Sequence, residues 1–407
     1  MIRGAVSLRI IFGEAMKENT SIAMARALMD EFTILTRISP TGKLPPRRYL
    51  WTDAFAVCNF LGLSHHMRDK NYTCLALRLV DQVHAILGRH REDDPRSGWI
   101  SGLDDEEGAM HPTKGGLRIG KEINERRPED PFDEHAEWDR DGQYYHYLTK
   151  WMHALNRVSR ATGDSKYNTW AIELAKTAHA GFTYVPSFGG PKRMYWKMSI
   201  DLTYPLVLSM GHHDPLDGFI TYHQLRATAE KVNKKSPLPE LNVEIADMAT
   251  MCKGKSWATD DPLGIGGLLS DAFRVGRLIV DKYCDRTDLL ETLLDSSLKG
   301  LAFYTSESPL RLPAGYRLAF RELGLSIGLR AVERLKGLIT QNPGLFNNKH
   351  VLNSHLEGMM RYAPLGEEIE KFWLESANRE VNTWMDHRDI NMVMLATSLA
   401  PYGFLNI

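Results

Sequence analysis

The chain has 407 residues, with 50 Lys and Arg against 51 Asp and Glu, and 43% of it is hydrophobic. Such balanced charge offers no electrostatic footprint for nucleic acid or an anionic membrane, and no apolar run approaches the ~18–20 residues of a membrane span. The four cysteines (Cys58, Cys74, Cys252, Cys284) lack metal-ligand spacing and read as reduced thiols, and Arg9, Glu14 and Lys17 make the N-terminus too charged for a signal peptide, so a cytoplasmic protein is expected.

No Ser/Gly-rich, Pro-rich or like-charged linker divides the sequence, so one domain over 1–407 is expected, with residues 1–15 as candidates for disorder. Helical periodicity begins at Ser21–Thr36 (Ile22, Met24, Ala25, Leu28, Met29, Phe32) and breaks at Pro40, Gly42 and Pro45-Pro46. The stretch Arg47–Leu63 opens a buried helix, and an outer helix follows Arg68. In that outer helix Asp69, Tyr72, Ala76 and Leu79 have the mutual spacing of Asp164, Tyr167, Ala171 and Leu174. This is an internal repeat of an outer helix with its entry turn.

Residues 89–140 are rich in Gly, Pro and charge, with Trp99, Ile100 and Trp138 as apolar anchors. A loop of that length is either a disordered insertion or a functional lid. The clearest hairpin comes next. A helix after Asp141-Gly142 is apolar on more than one side (Tyr144, Tyr145, Leu148, Trp151, Met152, Leu155, Val158) and stops at Thr162-Gly163. A second helix starts at Asp164 as N-cap and keeps one apolar stripe (Tyr167, Trp170, Ala171, Leu174, Ala178). An inner helix paired with an outer one is the unit that the rest of the chain repeats.

A helix is expected over Ser199–Met210, entered just before Pro205, which sets His212-His213-Asp214 at its C-terminal turn. Gly218–Val232 then reads as its partner, with a further segment near Leu241–Met251. Asp261-Pro262, a cap followed by Pro at the first helical position, starts a helix through Tyr283. Helices are expected at Asp288–Leu301, Tyr316–Leu335, Lys349–Tyr362, Glu367–Trp384 and Asp389–Ala400. Helices in such number with almost no strand pattern make an all-α protein. Alternating buried and half-buried helices suit a closed ring of hairpins, with the last helix packed beside the first; a superhelical stack would need a more regular period.

Chemistry-bearing residues gather ahead of, or in the first turns of, the buried helices. They are Arg48, Trp51 and Asp53; Trp138, Asp141, Gln143 and Tyr144; Arg193, Trp196, Lys197 and Asp201; Asp261; Tyr316; and His387, Arg388 and Asp389. In a ring of hairpins the inner helices run the same way, so their N-termini meet at one mouth and their dipoles add there. Aromatic faces edged by carboxylates and guanidinium groups complement sugar rings. Competing structural roles exist: Asp53, Asp141, Asp261 and Asp389 are each placed to cap a helix, worth ~1 kcal/mol, and Trp51 has the spacing of a core residue. His146 and His153 read as satisfied core groups. His212-His213-Asp214 is read as a dipole-favoured helix end, so no metal site is expected, and Gly264-Ile265-Gly266-Gly267 follows no strand that would make it a phosphate cradle.

The hairpin pattern, the Thr162-Gly163-Asp164 turn with Tyr167, and Trp51-Thr52-Asp53-Ala54-Phe55 give the chain a resemblance to the six-hairpin glycosidase superfamily, the (α/α)6 toroids. The last motif is similar to the W-x-D-(A/G)-(L/F) stretches of unsaturated glucuronyl hydrolases. The resemblance implies a carbohydrate-active enzyme with no cofactor and a small-molecule carbohydrate as its partner. Hydrolysis of a glycosidic bond needs a proton-donating carboxyl and a second carboxylate. Asp53 and Asp141 are the first choice for this pair, with Asp201 and Asp389 in reserve and Arg48, Arg193 or Arg388 available for a uronate carboxylate. A sugar 2-epimerase is the alternative, with His387 as one proton-transfer group and no matching second histidine. A toroid that binds a glycan or a protein without catalysis is a third reading.

Overall fold

The computed structural model describes residues 2–39, 45–232 and 240–406; the predicted break at Pro40 and Gly42 lies outside them. Helix α1 (Ile2–Leu35) starts well before Ser21 and leads into the hairpin of α2 (Leu50–Met67) and α3 (Lys70–Leu87). The following segment carries two short helices, α4 (Asp105–Met110) and α5 (Glu134–Asp139). A two-residue strand β1 (Gln143–Tyr144) precedes the hairpin α6 (Tyr145–Thr162) and α7 (Ser165–Phe182). Strands β2 (Thr183–Tyr184), β3 (Arg193–Met194), β4 (Lys197–Met198) and β5 (Pro205–Val207) come next. The pair α8 (Asp214–Val232) and α9 (Asn242–Cys252) is followed by α10 (Pro262–Val280) and α11 (Thr287–Ser306). Then come α12 (Ala319–Gln341), α13 (Lys349–Met360), α14 (Ala363–Leu374), α15 (Asn382–Met385), α16 (Arg388–Leu399) and α17 (Tyr402–Leu405).

Helix α2 packs on α6, α6 on α8, α8 on α10, α10 on α12, α12 on α16, and α16 returns to α2, closing a ring. Each ring helix is covered from outside: α3 lies on α2, α7 on α6, α9 on α8, α11 on α10, α13 and α14 on α12, and α1 on α16. This is the (α/α)6 toroid, and the first helix completes it by covering the last ring helix. The division between inner and outer helices follows the residues. Helix α2 is buried without a break from Leu50 to Leu63, whereas α3 buries one stripe of Tyr72, Ala76, Leu79, Val80 and Val83.

The internal repeat has a structural counterpart. Asp69 accepts from the Asn71 N–H and Asp164 from the Lys166 N–H, each as the N-cap of an outer helix. Tyr72 and Tyr167, Ala76 and Ala171, and Leu79 and Leu174 are all buried.

Helices α10 and α12 cross in close backbone contact. A Cβ on Gly266 would lie 2.0 Å from the Gly324 carbonyl oxygen, and one on Gly328 would lie 2.6 Å from Gly266 Cα. Gly266 of Gly264-Ile265-Gly266-Gly267 therefore belongs to helix packing, where small residues let the backbones approach, while Gly264 and Gly267 line a cavity. At the far end of the ring α17 forms a plug. The Gly403 carbonyl accepts from Arg157 Nε, the Phe404 carbonyl is held by His153 Nε2, and the Phe404 ring stacks on Phe55 at 4.5 Å.

The sequence misleads at Ser199–Met210. Those residues form a bend followed by β5, which pairs antiparallel with β4, and β4 pairs with β1. Pro205 sits in this strand, where its missing N–H is tolerated at an edge. The helix that follows, α8, is an inner one. His212-His213-Asp214 consequently stands at a helix N-terminus, the reverse of the sequence-based reading.

Candidate functional site

A cavity of about 200 Å³ runs down the ring axis. Every ring helix contributes to its wall: Trp51 and Phe55 from α2, His146 and Lys150 from α6, Asp214 and Asp217 from α8, Asp271 and Arg274 from α10, Gly324 and Ile327 from α12, and Met394 from α16. Asp261 and His213 stand near its mouth and Phe404 near its base. From Asp261 to Arg274 the α10 backbone rises ~20 Å, so the cavity is deep and narrow.

Asp214 and Asp217 lie three residues apart on the first turn of α8, which sets both carboxyls on one face with Cβ atoms ~5–6 Å apart. Their environments differ. Asp217 accepts an ion pair from Lys150 Nζ at 2.8 Å. Burial is the largest single influence and would raise its pKa, but the charge and hydrogen bond of Lys150 together with the Arg274 charge outweigh it, and the carboxyl titrates below its ordinary value. Asp214 has no such partner. Burial first, and then the neighbouring Asp217 charge, push it up to about 8. Its Oδ2 is buried with no hydrogen-bond partner, and its Oδ1 is 3.9 Å from His146 Nδ1, too far for a hydrogen bond. Two titratable groups whose surroundings drive their pKa values apart are the usual mark of an acid–base pair.

The rest of the wall supports this polarity. Asp271 is raised to about 6 by burial and by the Asp217 charge, and it pairs with Arg274 Nη1 at 2.9 Å. Arg274 is itself fixed by Thr221 and Gln224. Burial lowers His146 and His213 to about 4, so both are neutral imidazoles at neutral pH. His213 Nε2 is 3.1 Å from the Trp257 carbonyl, which makes Nε2 the protonated nitrogen and leaves Nδ1 as the acceptor.

Of the residues expected from the sequence to act in catalysis or binding, Trp51 and Asp261 line this cavity. Asp261 also caps α10 through the Gly264 N–H at 3.0 Å and pairs with Arg321 at 2.8 Å. Trp138, Tyr144 and Trp196 line a separate groove beside the mouth. The remaining candidates stand elsewhere. Asp53 is buried against Arg48 at 3.4 Å and accepts from the Tyr49 N–H at 3.0 Å; burial raises it to about 6. Asp141 is wholly buried and accepts from Arg118 at 2.8 Å, Arg91 at 3.5 Å and the Gly120 N–H at 3.0 Å. Gln143 ties Leu117, Gly115 and Ile200 together through its side chain. Lys197 is buried on the Glu137 carboxylate and the carbonyls of Glu137 and Arg140.

Asp201 pairs with Arg96 at 2.7 Å and accepts from Ser199 and Thr203. Asp389 is paired with Arg47 at 3.1 Å, Arg388 with Glu31, and His387 lies edge-on to Phe320. Arg193 is exposed, and Tyr316 is 79% exposed. Residues 89–140 are built into the toroid's face: Trp99 and Ile100 are buried, and the Ile119 carbonyl accepts from the Leu50 N–H at the start of α2.

Sequence reasoning takes His146 for a core group and His213-Asp214 for a helix end, and it misses Lys150, Asp217, Asp271 and Arg274. A signal for the α8 pair was present: Asp214-Pro215 has the same cap-plus-Pro pattern as Asp261-Pro262.

No protein-family model and no curated protein matches the chain. Among solved structures it is similar to one described as a sugar epimerase from a ruminal bacterium, with 10% identity, a TM-score of 0.49, and coverage of 93% of this chain and 98% of that one. The toroid itself rests on the closed ring of helix contacts. No helix among the described residues is long and apolar enough to cross a membrane.

Proposed function

We propose that the protein is a carbohydrate-active enzyme that hydrolyses a glycosidic bond in the axial cavity, in the cytoplasm, where its four free cysteines stay reduced. The observation that carries this reading is the pair Asp214 and Asp217, one carboxyl raised to about 8 and its neighbour lowered, in one narrow cavity. Asp214 holds its proton at neutral pH and donates it to the leaving oxygen. Asp217, kept ionised by Lys150, acts on the anomeric centre or on a water beside it. Trp51 and Phe55 offer the apolar wall on which a sugar ring lies, and the depth of the site excludes bulk water from the charges. Asp53 and Asp141 have the contacts of structural carboxylates in this account, because their oxygens are taken up by guanidinium and backbone N–H groups.

A second reading, a sugar 2-epimerase, draws on His146 and His213, two neutral imidazoles lining the same cavity. The test is product analysis by NMR after incubation with short oligosaccharides and uronides. Hydrolysis releases a new reducing end and is abolished in Asp214→Asn. Epimerisation leaves chain length unchanged and inverts C2. Binding without any product would reduce the protein to a glycan-binding toroid.

A further inference from the structure

Beside the mouth lies a groove of about 480 Å³, more than twice the volume of the axial cavity. We propose that it receives the second and later sugar rings of the substrate, so that the enzyme acts on an oligosaccharide; this rests on the axial site being the reacting centre.

Three observations on the groove converge. Trp138 and Trp196 meet at 5.2 Å with their planes 80° apart, which makes a right-angled aromatic corner. Trp138 is 46% exposed and Leu208 is 69% exposed, so the corner presents apolar surface to water that a ring's C–H face would cover. The groove's polar edge is held in place: Arg126 pairs with Glu137 at 3.1 Å and donates to the Leu206 carbonyl at 3.2 Å. Sugar rings need this mixture of flat apolar faces and fixed polar edges.

The groove is also joined to the axial cavity. Tyr144 lines the groove, tilts against Trp196 at 5.6 Å, and touches His146 of the cavity wall at 5.5 Å. The chain itself makes a second link. Pro205 to Ser209 form one wall of the groove, and His213 and Asp214 of the cavity follow within a few residues. The reach from Ser209 to His213 is at most ~14 Å, a span that a few linked pyranose rings cover. A 200 Å³ cavity suits a single ring, whereas the groove falls in the ~300–1,000 Å³ range of sites that enclose larger ligands.

The experiment is a chain-length series measured by calorimetry on the full-length protein. The probes are methyl glycosides and the di-, tri- and tetrasaccharides of the gluco-, manno-, N-acetylglucosamino- and galacturono-series. The wild type is expected to bind the trisaccharide of its preferred series at least tenfold tighter than the methyl glycoside. Trp138→Ala, at an exposed position that leaves the fold intact, is expected to bring that ratio close to one, and Trp138→Phe to restore most of it. Glycoside binding with no gain on lengthening, or a ratio unmoved in Trp138→Ala, overturns the groove while leaving the axial site standing. Silence of every probe, glycosides included, overturns both.

Discussion

Replacing Asp214 with Asn separates stability from chemistry and can be tested without knowing the substrate. In the folded protein the carboxyl titrates at about 8 rather than near 3.8. Between those values the folded state keeps a proton that the unfolded chain has released. Stability therefore declines as pH rises through the window, by ~1.4 kcal/mol per unit from this group alone. From about pH 5 to about pH 8 the decline amounts to ~4 kcal/mol as a ceiling, and ~2 kcal/mol after relaxation around a buried charge. Asn does not titrate, so the variant loses this slope. His146 and His213 also titrate differently in the two states, with the opposite sign, but they are present in both proteins and drop out of the difference. Urea denaturation of both proteins across this range is the assay. The variant is expected to gain ~2–4 kcal/mol on the wild type between the two ends of the range, while turnover falls by roughly 10²-fold or more. A difference that stays flat with pH would refute the assignment of a buried, protonated carboxyl at this position.

The α10–α12 crossing gives a paired test. Gly266→Ala drives a Cβ to 2.0 Å from the Gly324 carbonyl and should cost about 3 kcal/mol or more, read as a lower Tm. Gly267→Ala meets nothing within 4 Å but faces the cavity; it should gain up to ~1 kcal/mol of helix stability and raise KM. Asp141→Asn leaves Arg118 and Arg91 without their carboxylate and should cost ~3 kcal/mol in denaturant titration. The repeated caps Asp69 and Asp164 should each cost ~1 kcal/mol on replacement by Ala, and clearly unequal losses would show that the two entry turns are not equivalent.

The hairpins were legible because their signals are local. Thr162-Gly163-Asp164 and Asp261-Pro262 announce a helix stop and a helix start, and the caps they predict are formed. Apolar residues on more than one side mark α6 as an inner helix, and it is buried from Trp151 to Ser159. The site was less legible because it depends on one misread element. Ser199–Met210 has enough apolar residues for a helix, and taking it as one shifted the next pair by half a hairpin. Asp214 then fell at a helix end rather than at the mouth, and Asp217, Asp271 and Arg274 fell on faces with no assigned direction. Asp53 and Asp141 stand in the sequence among aromatic and basic residues of the kind that line sugar sites. The structure gives both of them guanidinium and N–H partners, and a linear sequence does not show whether a carboxylate's lone pairs are already occupied. Trp138, Tyr144 and Trp196 line one groove, although strand β4 and not the expected helix follows Trp196.

Cleavage of a glycosidic bond in the axial cavity, with Asp214 as proton donor, is the proposal on which the others depend. Its most direct test is to incubate the wild type and Asp214→Asn with the oligosaccharide series and to follow products by NMR. Shorter chains with a new reducing end are expected from the wild type and none from the variant. Equal cleavage by both proteins, or inversion at C2 with chain length unchanged, would contradict it.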